Sequence, residues 1–276
     1  MMDIQTKASF HKEMLAFLRT YKLLILICVI VGWSVISPVL IVSLGALVDT
    51  MTPIYDELGV DVGGLTGELT ATASIGVASQ ISDISSIGLI VFLMVINSFA
   101  GGEQRKRSII IPQSSGLSSF SYIMPKFAIY PLTVFILSLT GTFAASIVSG
   151  FIFKSNDLIF INVLYAGILL GVYNMFYVCL HLTLGTGTGK PWISSAICIG
   201  ASLILPSIFT ITNATPAYNP FTISGAAASA LVGNESGTDI ITGILVAAIL
   251  MIILFSIAIF AQKAKKIDNS GNEMLI

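Results

Sequence analysis

Leu23-Leu-Ile-Leu-Ile-Cys-Val-Ile-Val-Gly-Trp-Ser-Val-Ile-Ser-Pro-Val-Leu-Ile-Val-Ser-Leu-Gly-Ala-Leu-Val48 runs without one charged side chain. A hydrocarbon layer about 30 Å thick needs about 20 apolar residues at 1.5 Å each, so this stretch predicts a membrane-spanning helix. It is too long for the apolar core of a signal peptide, 22 residues precede it, and no small-residue cleavage site follows. Working outward, five more stretches read the same way: 84–100 (short, extended by Gly101 and Gly102), 127–153, 158–182, 192–211 and 240–260. None contains Asp, Glu, Lys or Arg. Strand-like alternation is absent, so helices rather than a barrel must satisfy the backbone.

Composition agrees. The 276 residues are 55% hydrophobic and 10% charged, against about 25% charged in soluble domains. Too few polar groups remain to cover a water-exposed surface, which excludes a soluble enzyme. A net charge of −1 provides no basic footprint for nucleic acid. Cys28, Cys179 and Cys198 all fall in apolar runs without paired spacing, so neither a disulfide framework nor a zinc site is expected.

Basic residues set the expected orientation. Lys7, Lys12, Arg19 and Lys22 precede the first span, and Arg105, Lys106, Arg107 and Lys126 lie between the second and third. Lys190 lies between the fourth and fifth, and Lys263, Lys265 and Lys266 follow the sixth. Only Lys154 falls on the other side. The expected protein is therefore a multi-pass component of the cell membrane with both termini cytoplasmic. Residues 1–22 form a cytoplasmic helix, 23–260 one six-helix domain, and 261–276 a cytoplasmic tail.

Residues 49–83 are read as an outside loop bearing Asp49, Asp56, Glu57, Asp61, Glu68 and Asp83 with no basic residue, with a short helix near Thr70 to Ser79. It is either a solvated, self-repelling loop or a cation-attracting vestibule. The spans themselves lack the ionisable groups that proton and ion relays use. His181 comes nearest, sharing a helical stripe with Asn174 and Tyr177, and Tyr173, Phe176 and Tyr177 also fit an interfacial aromatic belt. Gly185-Thr-Gly-Thr-Gly-Lys190 superficially has the look of a phosphate loop. Leu184 and Pro191 break that pattern, and a flexible cytoplasmic turn is expected instead. No Ser/His/Asp set supports hydrolysis. A wall bare of titratable groups needs its work delivered by an attached engine.

Two cytoplasmic features offer a handle for such an engine. Phe10, Met14, Phe17, Leu18 and Tyr21 recur at helical spacing, with Lys12, Glu13 and Arg19 turned elsewhere. That pattern describes an amphipathic helix lying in the membrane interface, or else the start of the first span. Residues 101–126 then join Glu103, Arg105, Lys106 and Arg107 to Ile109-Ile-Ile111, broken by Pro112 and Gly116 before Lys126. The basic triplet anchors the topology on anionic lipid, and the adjacent isoleucines call for a protein partner to cover them.

In Lys12-Glu13, Phe17-Leu-Arg-Thr20, Ser37-Pro38, Pro53 with Ile54 to Leu58, Gln80 leading to Ile87-Gly-Leu-Ile-Val, Gly102-Glu103, Pro112, Tyr122, Lys126 and Asn219-Pro220, the chain resembles a known family. It is similar, in order and spacing over essentially its whole length, to the six-span type-2 permeases of ATP-binding-cassette exporters. The resemblance implies an all-α integral membrane fold with a coupling helix in 103–121 and short re-entrant helices between the fifth and sixth spans, within the outside segment 212–239. It implies partners as well: cytoplasmic ATPase subunits that bind ATP and Mg, and a second permease copy or related subunit. The chain itself would hold no cofactor and catalyse nothing.

On this reading Glu103, Arg105, Lys106, Arg107 and Lys126 couple to the ATPase. Asn97, Ser98, Ser195 and Ser202 are candidates to line a path for an amphipathic or hydrophobic cargo, whether peptide, antibiotic or lipid-like. They are equally the small, hydroxyl-bearing residues used in helix packing. The rival readings are extrusion of an ion such as sodium by the same machinery, an ion-gradient carrier, and a non-transporting immunity or scaffold protein.

Overall fold

A computed structural model describes residues 4–57, 72–102, 116–154, 157–211, 219–232 and 237–273. Among them there is no strand. Helix α1 covers Ile4–Arg19 and α2 Lys22–Glu57. Helix α3, Ala73–Asp83, passes through a π-helical turn at Ile84–Gly88 into α4, Leu89–Ile96. Then come α5 Ser119–Phe153, α6 Phe160–Thr188, α7 Pro191–Ile211, the short α8 Ile223–Leu231, and α9 Gly237–Glu273. Six helices are long and apolar enough to cross a membrane: Lys22–Val48, Ala73–Ile96, Ser119–Phe153, Phe160–Thr188, Pro191–Phe209 and Ile240–Lys265. This is the architecture of a multi-pass membrane protein.

All six spans overlap the runs that hydropathy predicts, but the third starts at Ser119 rather than Phe127, and the second departs most. It starts at Ala73 rather than Ile84, because α3 continues through the π turn into α4. The predicted outside loop 49–83 is shorter at both ends, since α2 runs on to Glu57. Ala, Ser and Gly between 73 and 83 read as loop composition, yet their small size is what close helix packing needs. A Cβ on Gly76 would lie 2.8 Å from Ser149 Oγ and 3.5 Å from Pro38 Cβ. Thr72 Oγ1 caps the new helix start by accepting from the Ile75 N–H. The sixth span also overruns its expected end, because α9 continues to Glu273.

Helix α6 is the centre of the bundle, packed against α5, α7, α8 and α9, while α2 packs on α3 and α5, and α1 on α5. Tyr173, Phe176 and Tyr177 are buried within it, so they do not form an interfacial belt. They build an interior aromatic cluster with Phe221, which lies 5.5 Å from Phe176, and with Phe209 beyond it. Asn219 Oδ1 accepts from the Phe221 N–H, a side-chain turn that positions this ring and starts α8.

Contacts gather the helix ends into two sets. At one end lie α1, the start of α2 and α5, the ends of α4, α6 and α9, and the start of α7. Lys126 there meets Glu13, and Lys265 donates to the Thr186 carbonyl. At the opposite end Asp157 accepts from the Ser74 N–H, and Asn162 donates to the Leu231 carbonyl. The first set holds the described basic residues other than Lys154.

Candidate functional site

Moving the second candidate span upstream places a carboxylate in the interior of that helix. Asp83 lies ten residues from Ala73 and thirteen from Ile96, or about 15 Å and 20 Å at 1.5 Å per residue. Its partner is Ser37, itself mid-way along α2, whose hydroxyl donates to Asp83 Oδ2 at 2.6 Å. This corrects the expectation that the spans are bare of ionisable groups. Ionisable side chains at such depth cost roughly 3 kcal/mol on insertion scales and mark functional positions.

The surroundings are polar on both sides. One turn along the same seam, Ser34 of α2 donates to the Gly141 carbonyl of α5 at 2.9 Å. Gln80 of α3 is fully buried beside them, and neither of its amide atoms finds a hydrogen-bond partner among the described residues. Gly141 leaves the room: a Cβ there would stand 3.4 Å from Gln80 Nε2 and 2.6 Å from Ile30 Cγ2. On the other side Asp83 borders a face of α3 and the π turn where Ser82 is exposed and Ser79 and Ser86 are half-buried. Where the helical ladder changes register, Ser85 and Ser86 both donate to the Ser82 carbonyl, at 3.0 and 2.7 Å. Hydroxyls thus satisfy backbone that a π turn rearranges. No basic side chain pairs with Asp83, and no trio of His, Cys, Asp or Glu is grouped for a metal, among the described residues.

A second charged site lies at the end where the basic residues gather. Lys126 and Glu13 are both almost completely buried and face each other at 3.5 Å. Tyr130 donates to the other Glu13 oxygen at 2.6 Å, and Lys126 donates to the Phe99 carbonyl at 3.0 Å. Phe17, Phe99 and Tyr130 close the junction, with Phe99 stacked on Tyr130 at 4.5 Å. Lys22 bonds Ser98 and sits 3.9 Å over the Phe99 ring. The site therefore ties α1 and α2 to the two chain ends that flank residues 103–115.

This junction reorients α1. Its inward face is Thr6, Phe10, Glu13 and Phe17, with Thr6 bonded to Ser121. Met14, Leu18 and Tyr21, predicted on one face with Phe10 and Phe17, point outward. Glu13, predicted to face away, is turned in because Lys126 and Tyr130 can satisfy it. Lys126 correspondingly is buried. Glu103, Arg105, Lys106 and Arg107 lie outside the described residues.

The predicted path residues fall on two segments, the end of α4 and the helix α7 that packs on it. Asn97 is buried at the end of α4 and Ser98 is exposed, bonded to Lys22. Ser195 and Ser202 are buried on α7, the latter donating to the Ile199 carbonyl. Nearby, Ser194 bonds His181 Nδ1 at 2.7 Å and the His181 carbonyl at 2.6 Å, so this pair pins α7 to α6. The glycine-rich 185–190 segment closes α6: Gly189 takes the left-handed cap, and a Cβ on Gly185 would fall 1.9 Å from the Ala100 carbonyl oxygen. Backbone crossing accounts for Gly185 and helix capping for Gly189.

Asp83 was within reach of sequence reasoning. Ala73, Val77, Gln80, Ile81, Ile84 and Gly88 form one continuous buried stripe at helical spacing, and a stripe crossing residue 83 is a helix that does not stop there. Compared with protein families, with curated proteins and with solved structures, the chain finds no match.

Proposed function

We propose that the chain is the permease subunit of an ATP-binding-cassette exporter, carrying an amphipathic or hydrophobic cargo out of the cytoplasm while separate subunits bind ATP and Mg. The observation that supports this reading is the buried Glu13–Lys126–Tyr130 junction. A force applied at 103–115 meets α4 and α5 where they are cross-linked to α1 and α2, so it would move four elements as a body rather than bend one loop. Breaking a buried pair costs about 3–5 kcal/mol, which makes the joint stiff on the scale of a conformational switch. In this reading both termini are cytoplasmic, Met14, Leu18 and Tyr21 rest in the headgroup layer, and two copies or related subunits face each other across the path. Helix α8 with its flanking segments would be the re-entrant element on the outside.

The test is reversal of charge at Arg105, Lys106 and Arg107 in the full chain, followed by co-purification with a cassette ATPase and its turnover. Both are expected to fall at least about tenfold; wild-type values for both would remove the docking assignment. One observation favours a second reading. Asp83 at mid-depth suits a cationic cargo, so extrusion of an ion such as sodium by the same machinery stands beside export of an amphipathic molecule.

A further inference from the structure

We infer that Asp83, with Ser37 and the hydroxyl face of α3, is a binding site for a monovalent cationic group at the middle of the membrane. The inference deepens the exporter reading by naming the charge of what is moved, but the site itself needs no ATPase.

A carboxylate at this depth must be neutralised, protonated or hydrated. Among the described residues its partner is one neutral hydroxyl, Ser37, at 2.6 Å. A single neutral donor leaves most of the charge and most of the four acceptor positions of the carboxylate unused. No basic side chain of the described residues supplies the balance. The contrast within the molecule is direct: Lys126 is matched by Glu13, which Tyr130 also bonds, so the buried charges at the other site are closed upon themselves. Among the described residues Asp83 is the open one.

Access comes from the burial pattern. Asp83 is half-buried at the border between the α2 seam and the open face of Ser79, Ser82 and Ser86. Ser86 donates its hydroxyl proton to the Ser82 carbonyl, which leaves its oxygen lone pairs available to accept. Gln80, one turn away on the seam, is a buried amide without a partner among the described residues. Oxygens of one carboxylate and several hydroxyls carry a single formal negative charge. That set suits a monovalent cation, since Ca²⁺ and similar ions usually draw on more carboxylates and transition metals on nitrogen or sulfur. A sodium ion and the ammonium or phosphonium centre of an amphipathic cargo share this chemistry.

The experiment uses purified full-length protein and equilibrium binding of two probes, ²²Na⁺ and radiolabelled tetraphenylphosphonium, at an ionic strength held constant with magnesium sulfate. Saturable binding of one probe is expected, weakened at least about tenfold by Asp83→Asn and by a smaller factor by Ser37→Ala, the difference between losing a charged and a neutral partner. Sodium binding identifies an inorganic ion, and phosphonium binding an organic cation. A second measurement, made on the unmutated protein, keeps a misfolded variant from deciding the outcome. Dicyclohexylcarbodiimide, which adds to carboxyl groups in apolar surroundings, should label the Asp83 peptide in the wild type, and the bound cation should suppress that label. The inference is overturned if neither probe binds saturably, or if binding is the same in Asp83→Asn, or if the cation leaves labelling unchanged. Loss of ATPase co-purification on charge reversal at 105–107, with cation binding intact, would separate this site from the docking assignment.

Discussion

Helices α6 and α9 are both long enough to cross a bilayer, yet they are built on opposite plans. In the most apolar stretch of α6, 72% of residues are buried inside the protein; in α9 the figure is 11%. Between the two apolar spans the buried one is the more polar, with Asn174, His181 and four glycines, whereas the α9 span presents Ile241, Leu245, Ile249, Ile252, Ile253, Ile257 and Phe260 outward. In water the order would be reversed. Lipid tails are as apolar as isoleucine, so hiding an apolar face from them gains little, and helices associate through close backbone approach and hydrogen bonds. Helix α6 has both. A Cβ on Gly171 would meet the Phe135 ring at 2.6 Å, and Asn174 donates to Ser138 at 3.0 Å. Helix α9 holds on by a narrow stripe through Ala247, Ala258 and Gln262, and by Thr183 donating to its Leu254 carbonyl.

The contrast can be broken by substitution. The largest effect is expected from Gly185→Ala, because one methyl group would collide with the Ala100 backbone. Backbone cannot rotate away as a side chain can, and a loss of about 3 kcal/mol or more is expected, read as a lower melting temperature and a smaller monodisperse fraction in detergent. A normal melting curve would show that the α4 and α6 ends do not cross there. Next is Asn174→Leu, which removes the bond to Ser138 while keeping volume. It should cost about 1 kcal/mol, in the range of measured bonds between membrane helices, and Ser138→Ala should add little on top of it in a double-mutant cycle. Full additivity of the pair would mean that the bond contributes nothing. The smallest effect is expected from Ile252→Ala on the outer face of α9, within about 0.5 kcal/mol of wild type by the same melt. A cost near that of a core substitution would reveal that α9 is covered by another protein surface instead of lipid.

How much of this was legible in the sequence differs from residue to residue. The α9 span was plain, since an unbroken apolar run has one physical explanation. The start of the second span was hidden by the very residues that let it pack: Ala73, Ser74, Gly76, Ala78 and Ser79 have the composition of a loop and the dimensions of a tight helix contact. Asp83 was consequently assigned to water. Glu13 and Lys126 were both singled out, yet as surface charges, because no spacing rule links positions 113 residues apart. The glycines at 185 and 189 announced a special backbone without saying which one.

Six apolar runs, their helical nature and the clustering of basic residues at alternate connections followed from the chain alone, because transfer into hydrocarbon is nearly a sum over neighbouring residues. Which of those helices became the centre, which charge met which, and the depth at which Asp83 stands were decided by contacts between distant segments. Hydropathy records how much a stretch avoids water; it holds no term for the partner across the seam, and in this protein the partners carry the chemistry.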